Sequence, residues 1–281
     1  MTPHPHPNAI EVRDLRVDFT SAAGVTNAVR GVSFDLPRGK TLALVGESGS
    51  GKSVTSYSLM RLIQPPGRIV GGSITLYPSD APPIDVTALS ERDKRIYDVR
   101  GGRIAMIFQE PMTALSPVHT VGNQLAEALR LHERCSRRAA WTRCTEMLEK
   151  VGMPDAAGRM KAHPFELSGG MRQRVVIAMA LVTRPEVVIA DEPTTALDVT
   201  VQAQILDLLN ELQDEMGSSV LFITHDLGVV AQVADEVAVM RQGEIVERGN
   251  VRRVILTPEH PYTKRLIDSI PRMEVSDAAP A

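Results

Sequence analysis

The run Gly46-Glu47-Ser48-Gly49-Ser50-Gly51-Lys52-Ser53 sets glycines, a lysine and a hydroxyl at the spacing G-x-x-x-x-G-K-[ST]. That arrangement suits the grip of a phosphate chain. Glycines let the backbone curl so that successive N–H groups point inward. A helix opening at Lys52 adds its positive dipole end. Lys52 is then set to reach the β- and γ-phosphates of a nucleotide, and the Ser53 hydroxyl to ligate Mg²⁺. Val54 is counted with them as the next contact along the helix. A second candidate group is Val187-Val188-Ile189-Ala190-Asp191-Glu192. Here an apolar strand delivers two acids at its C-terminal edge, where parallel sheets bind ligands. Asp191 suits the orientation of Mg²⁺, directly or through its water shell, and Glu192 suits a general base on an attacking water. A chance glycine turn and a solvated acid pair are the bland alternatives; finding both motifs in one chain counts against them.

Several elements must hold these residues in place. Thr41 to Val45 reads as a strand buried on both faces, with a helix from Lys52 to Ile63 that stops at Pro65-Pro66. Upstream, Val12 to Phe19 and Val29 to Leu36 read as a hairpin turning at Ala22-Ala23-Gly24. Ser73 to Tyr77 is a further strand, and Ser90-x-x-Asp93 the cap of a short helix. Arg103 to Phe108 reads as a buried strand ending at Gln109. From Pro111 to about Arg174 the spacing turns helical, with helices over Val121–Leu131 and Arg137–Val151 and Gly152 placed to end the second. Strands at 187–190 and 219–223 then alternate with helices near 200–215 and 226–233, and a hairpin turns at Gln242-Gly243. This alternation predicts an α/β fold with a mainly parallel sheet.

Composition narrows the class. The chain has 31 Lys+Arg against 34 Asp+Glu, a formal net charge of −3, which argues against a dedicated nucleic-acid binder. The longest uncharged apolar stretch, Val175 to Thr183, is far short of the ~20 residues that span a bilayer. The N-terminus lacks the apolar segment of a signal peptide. Cys135 and Cys144 make no disulfide framework and have no His partners at metal-ligand spacing, which fits a reducing cytosol. His4 and His6 read as solvated tail residues, and the 12 methionines as packing.

Leu167-Ser168-Gly169-Gly170-Met171-Arg172-Gln173-Arg174 lies between the two motifs. With them in order, the chain from about residue 10 to 270 resembles the ABC-transporter ATPases. The resemblance implies a P-loop NTPase of ABC type, with an N-terminal antiparallel β subdomain and an inserted helical subdomain on the parallel core. Residues 8–255 are expected to form the ATPase domain, with about 111–174 inserted, and 256–281 a short, partly disordered extension. Two such subunits would bury ATP between them head to tail, the Ser168, Gly169 and Gly170 segment of one facing the γ-phosphate held by the other. Met171 departs from the commoner Gln of the family, while the serine and both glycines are intact.

The same resemblance gives Gln109 a contact to Mg²⁺ and a relay to membrane partners, and His225 a contact to the γ-phosphate. It assigns Asp198, in Ala196-Leu197-Asp198, to the loop crossing the dimer interface, with a helix cap as the plain alternative. Phe19 would stack on adenine, although a strand phenylalanine is more often core.

Three stretches narrow the likeness to bacterial oligopeptide, dipeptide and nickel importer ATPases, of the first-subunit type: Gln109 to Pro117, Met171, and Pro258-Glu259-His260-Pro261-Tyr262-Thr263-Lys264. Expected partners are a second ATPase subunit, identical or different, two integral membrane permease subunits, and indirectly an extracytoplasmic solute-binding protein. The expected location is peripheral, on the cytoplasmic face of the inner membrane. Many members carry a Cys-containing extension beyond this tail; this chain ends shortly past Pro271, so no role is expected from one. The alternatives are an ATPase of a soluble cytosolic complex, such as one for phosphonate degradation, and a nucleotide-sensing module without turnover.

Overall fold

The computed structural model describes residues 6–22, 24–90, 92–109, 114–194 and 198–269. Ala23, Pro111 to Thr113, Ala196, Leu197, His4 and the disorder expected near the C-terminus all lie outside the described residues.

Two sheets organise the chain. Strands β1 (Asn8–Ser21), β2 (Gly24–Pro37), β4 (Gly67–Leu76) and β5 (Ile84–Asp85) form an antiparallel sheet in the order β2-β1-β4-β5. The core sheet uses β3 (Thr41–Val45), β6 (Ile104–Ile107), β7 (Val187–Asp191), β8 (Ser219–Thr224), β9 (Glu236–Arg241) and β10 (Glu244–Asn250). Its order is β10-β9-β3-β8-β7-β6, parallel from β9 to β6, with β10 antiparallel at one edge. Strand β4 starts well before the expected Ser73, because Gly71 and Gly72 dilute the apolar alternation by which a strand is recognised.

The core strands are buried on both faces, as their unbroken apolar runs require. In β3, Leu42 and Leu44 pack toward the antiparallel sheet, while Ala43 and Val45 pack toward the C-terminal helices. In β7, Val187 and Ile189 face the antiparallel sheet, and Val188 and Ala190 face the helical insertion. Alternate residues of one strand thus tie three layers together, and at the C-terminal end of each strand the chain leaves toward the site.

Helix α1 (Lys52–Leu59) is shorter than the expected Lys52 to Ile63. Arg61 takes a left-handed φ of 53°. The Arg61 and Leu62 amides bond back to Ser58 and Tyr57 carbonyls, a C-terminal stop made without glycine. Arg100 donates to the Met60 and Arg61 carbonyls at 2.8 and 2.6 Å, which supports that turn. Helix α2 (Arg95–Val99) is preceded by Asp93, not Ser90, as the side chain accepting its first amide.

The insertion holds α3 (Val121–His132) and α4 (Arg137–Lys150), capped by Thr120 and Ser136, then α5 (Ala156–Arg159). Gly152 ends α4 at φ 69°, as its place predicts. Helix α6 (Gly169–Leu181) starts in the insertion and runs into the core, carrying Val175 to Ala178 against the sheet. Helices α7 (Val199–Met216) and α8 (Leu227–Val233) flank β8. Helices α9 (Val251–Leu256) and α10 (Pro261–Asp268) close the described chain, and Val254 and Tyr262 join the core under β3. Residues beyond 255 therefore include a packed helix. His6, expected to be solvated, stacks on Tyr77 with ring centroids 3.6 Å apart.

Candidate functional site

The phosphate loop runs from β3 into α1. Gly46 needs its φ of 157° and its missing side chain, since a Cβ there would stand 2.2 Å from the Met240 carbonyl oxygen. Above Gly49, at φ 76°, the space is open. The loop is thus pressed against β9 on one side and leaves an open cradle on the other. Lys52 is buried and donates to the Gly46 and Glu47 carbonyls at 2.7 and 3.0 Å. Burial lowers its pKa, opposed by the charges of Glu192, Asp191 and Glu47. The Ser50 hydroxyl is buried without a partner among the described residues.

Asp191 ends β7 at 3% exposure, hydrogen-bonded to the Ser53 hydroxyl. Burial lifts its pKa from 3.8 to about 6 despite that bond. Glu192 follows at φ 47°, a left-handed conformation that a glutamate adopts only when its surroundings impose it. Its amide donates to the Ile223 carbonyl at 2.9 Å. The carboxylate accepts from Gln109 Nε2 at 3.0 Å and from His225 Nδ1 at 3.1 Å. Three strand ends, β6, β7 and β8, thereby bring Gln109, Glu192 and His225 to one point beside the loop.

Ser168 caps α6 by accepting from the Met171 amide at 3.3 Å, and Ser168 and Gly169 are exposed. Asp198 caps α7 through the Val201 amide at 2.9 Å, as the plain reading had it. A Cβ on Gly170 would lie 3.2 Å from Val201, so the starts of α6 and α7 meet. Phe19 is half-buried and closes on Gly67, where an added Cβ would touch its ring at 2.5 Å. Val54 packs partly against the core beneath the antiparallel sheet. Gln109, Glu192 and His225 thus form one cluster through hydrogen bonds, while the Ser168 and Asp198 side chains cap α6 and α7.

Whether this donor set fits a Mg-nucleotide is answered by its chemistry. An uncomfortable carboxylate next to a hydroxyl suits a hard cation, and an open glycine cradle with a buried ammonium suits a phosphate chain. The residues fit both.

A model described as ABC transporter matches residues 29–195. The chain belongs to the ABC transporter ATPases. A second model, the oligopeptide/dipeptide transporter C-terminal region, matches residues 246–280 of this ABC ATPase. It is 52% identical over 96% of its length to the dipeptide transport ATP-binding protein DppD of Bacillus subtilis, covering 78% of that protein. It is 53% identical over 95% of its length to the oligopeptide transport ATP-binding protein OppD of the same organism, covering 73%. Against the glutathione import ATP-binding protein GsiA of Escherichia coli K12 it is 52% identical over 95% of its length but spans only 42% of that chain. Among solved structures it is similar to the dimeric post-hydrolysis cassette MJ0796 bound to ADP and Pi, with a TM-score of 0.75 and 26% identity over 86% of this chain and 99% of that one. ATP binding belongs to this family, and no helix among the described residues is long and apolar enough to cross a membrane.

Two residues of this ABC ATPase escaped the sequence reading. Gln173, fully buried, donates to the Pro193 carbonyl at 2.6 Å and so ties α6 to the turn after Glu192. Its signal was a glutamine on the buried face of a helix, set between Arg172 and Arg174 just before an apolar run. Tyr262 was noted only as part of the tail, yet it touches the phosphate loop.

The Asp191 environment predicts an unusual pH response. The folded-state pKa lies above the unfolded one, so this group's stabilising share is complete below about pH 4 and is lost as pH rises through about 6. Asp191→Asn removes that penalty. The nucleotide-free variant is expected to exceed the parent by about 3 kcal/mol at neutral pH, with little gain near pH 4. Urea unfolding across this range measures it, and a pH-independent difference would contradict the assignment.

Proposed function

We propose that this ATPase powers import of peptides or a related small solute from the cytoplasmic face of the bacterial inner membrane. The observation that carries the cargo class is the match to the oligopeptide/dipeptide transporter C-terminal region, a segment the relatives named for dipeptide and oligopeptide transport also align with. The soluble-complex alternative has no comparable support.

In this reading the loop amides beyond Glu47, as far as Ser53, and Lys52 hold the β- and γ-phosphates, Gly46, Glu47, Ser48, Gly49, Ser50 and Gly51 supplying the curved backbone. Ser53, Asp191 and the Gln109 side-chain oxygen would hold Mg²⁺. That ion, when bound, neutralises charge on the phosphate oxygens. Glu192 takes a proton from the attacking water, and His225, donating through Nδ1, fixes the Glu192 carboxylate beside the place of the γ-phosphate. Val54 lines the nucleotide contact, and Phe19 offers a ring edge to adenine.

The Ser168, Gly169 and Gly170 amides serve the ATP of a second ATPase subunit. Exposure of the signature and of Val199, 84% exposed beside Asp198, supports a surface that a partner covers. Phe108, exposed beside Gln109, supports a neighbouring contact for permease subunits. Closure of the ATPase pair would then reorient two permeases fed by an extracytoplasmic solute-binding protein.

Reconstitution in vesicles with the partner ATPase, two permeases and the binding protein tests the proposal. Peptide-loaded binding protein is expected to stimulate hydrolysis and drive peptide accumulation. Full turnover in a cytosolic complex that never recruits a permease would sink it.

A further inference from the structure

Helix α10 does more than cover the core. Tyr262, 2% exposed, accepts a hydrogen bond from the Glu47 backbone amide at 3.1 Å through its phenolic oxygen. The carbonyl of the same Glu47 accepts from the Lys52 ammonium at 3.0 Å. One residue of the phosphate loop, Glu47, is therefore held at its amide by the C-terminal helix and at its carbonyl by the lysine. The ring is itself fixed. Arg241 stands over its face at 5.1 Å. Glu247 accepts the Glu259 and His260 amides at 2.8 and 3.0 Å and anchors the start of α10 to β10. The neighbouring hairpin adds a second hold, with the Gly243 amide donating to the Ser50 carbonyl at 2.9 Å.

We propose that Tyr262 is a positioning residue for nucleotide binding: its hydroxyl sets the backbone at Glu47, and through the Gly46 and Glu47 carbonyls on either side of that amide the resting place of the Lys52 ammonium. The C-terminal helix thereby tunes the phosphate loop from outside. A glycine-rich loop has little side-chain packing to hold its shape, so an external acceptor for one of its amides limits the conformations that binding must freeze out. The inference rests on the reading that this loop grips ATP.

Tyr262→Phe keeps the ring in the core and removes only the hydroxyl. In the full chain, the Kd for a fluorescent ATP analogue with Mg²⁺ is expected to rise ~3–10-fold, the effect of one lost buried hydrogen bond. With the partner ATPase present, KM for ATP should rise while kcat stays near its parent value. A double-mutant cycle separates positioning from general loosening. If Tyr262 acts through Lys52, Tyr262→Phe should add little to the loss already caused by Lys52→Ala, whereas a purely structural role gives additive losses. Unchanged affinity in Tyr262→Phe, or full additivity with Lys52→Ala, overturns the inference. Absence of ATP binding by the parent chain would instead overturn the nucleotide site itself.

Discussion

Glu192→Gln is expected to keep nucleotide affinity and lose steady-state ATP hydrolysis by ~10²–10⁴-fold, the range for removing a positioned general base. The substitution is nearly isosteric, so the amide can occupy the same place between Gln109 and His225. Its side-chain oxygen can still accept one of the two bonds that the carboxylate takes at 3.0 and 3.1 Å. What it cannot do is hold a proton removed from water. Glu192 suits that task because it is held, not free to swing: its side chain is 15% exposed and its backbone is fixed at φ 47° by the bond to Ile223. Binding without turnover should also lengthen the lifetime of the ATP-bound pair of subunits, visible as dimer in size-exclusion chromatography. Hydrolysis at the parent rate, measured with the partner ATPase present, would remove Glu192 as the base.

Lys52→Ala acts one step earlier. The ammonium is the principal positive charge at the loop, and a hydrogen bond to a charged group contributes about 1.5–3 kcal/mol, so ATP affinity should fall roughly 10–150-fold. The fold should survive, because the buried Lys52 pays for its charge with a lowered pKa and, among the described residues, makes only the two loop-carbonyl bonds. A ligand that binds only the native state raises stability in proportion to RT ln(1 + [L]/Kd). The nucleotide-dependent rise in Tm should accordingly shrink or vanish at concentrations that stabilise the parent, while Tm without nucleotide changes little. A parent-like rise would contradict the role of Lys52.

The parts of the site that were legible are those encoded over a few neighbouring residues. The phosphate loop needs glycines, a lysine and a hydroxyl within one turn, and the structure has them between β3 and α1. The acid pair needs an apolar strand before it, and β7 is buried throughout. Cap signals worked for the same reason: Asp198 and Gly152 act on an amide or a carbonyl a few positions away. Less legible were ends that depend on distant partners. Helix α1 stops before the prolines because Arg61 turns left-handed and Arg100, far along the chain, satisfies the freed carbonyls. The short helix near residue 95 begins after Asp93, a choice between two nearby oxygens that local pattern does not settle.

The sequence by itself determined the α/β class and the local groupings of residue types suited to chemistry: a glycine loop with Lys52 and Ser53, the Asp191-Glu192 pair at a strand end, and a serine-glycine helix start. These follow from residue type and short spacing, which fix backbone curvature and helix ends whatever the rest of the chain does. Only the tertiary structure decided how the pieces are coupled. It lines up three strand ends so that Gln109 and His225 meet on Glu192, threads Gln173 from α6 to Pro193, and brings Tyr262 back to the phosphate loop. Glu47 and Tyr262 are separated by most of the chain, and their hydrogen bond exists because β9, β10 and α10 fold back against β3. Such contacts leave no periodicity to read, since their geometry is set by the packing of layers and not by the spacing of residues along one strand or helix.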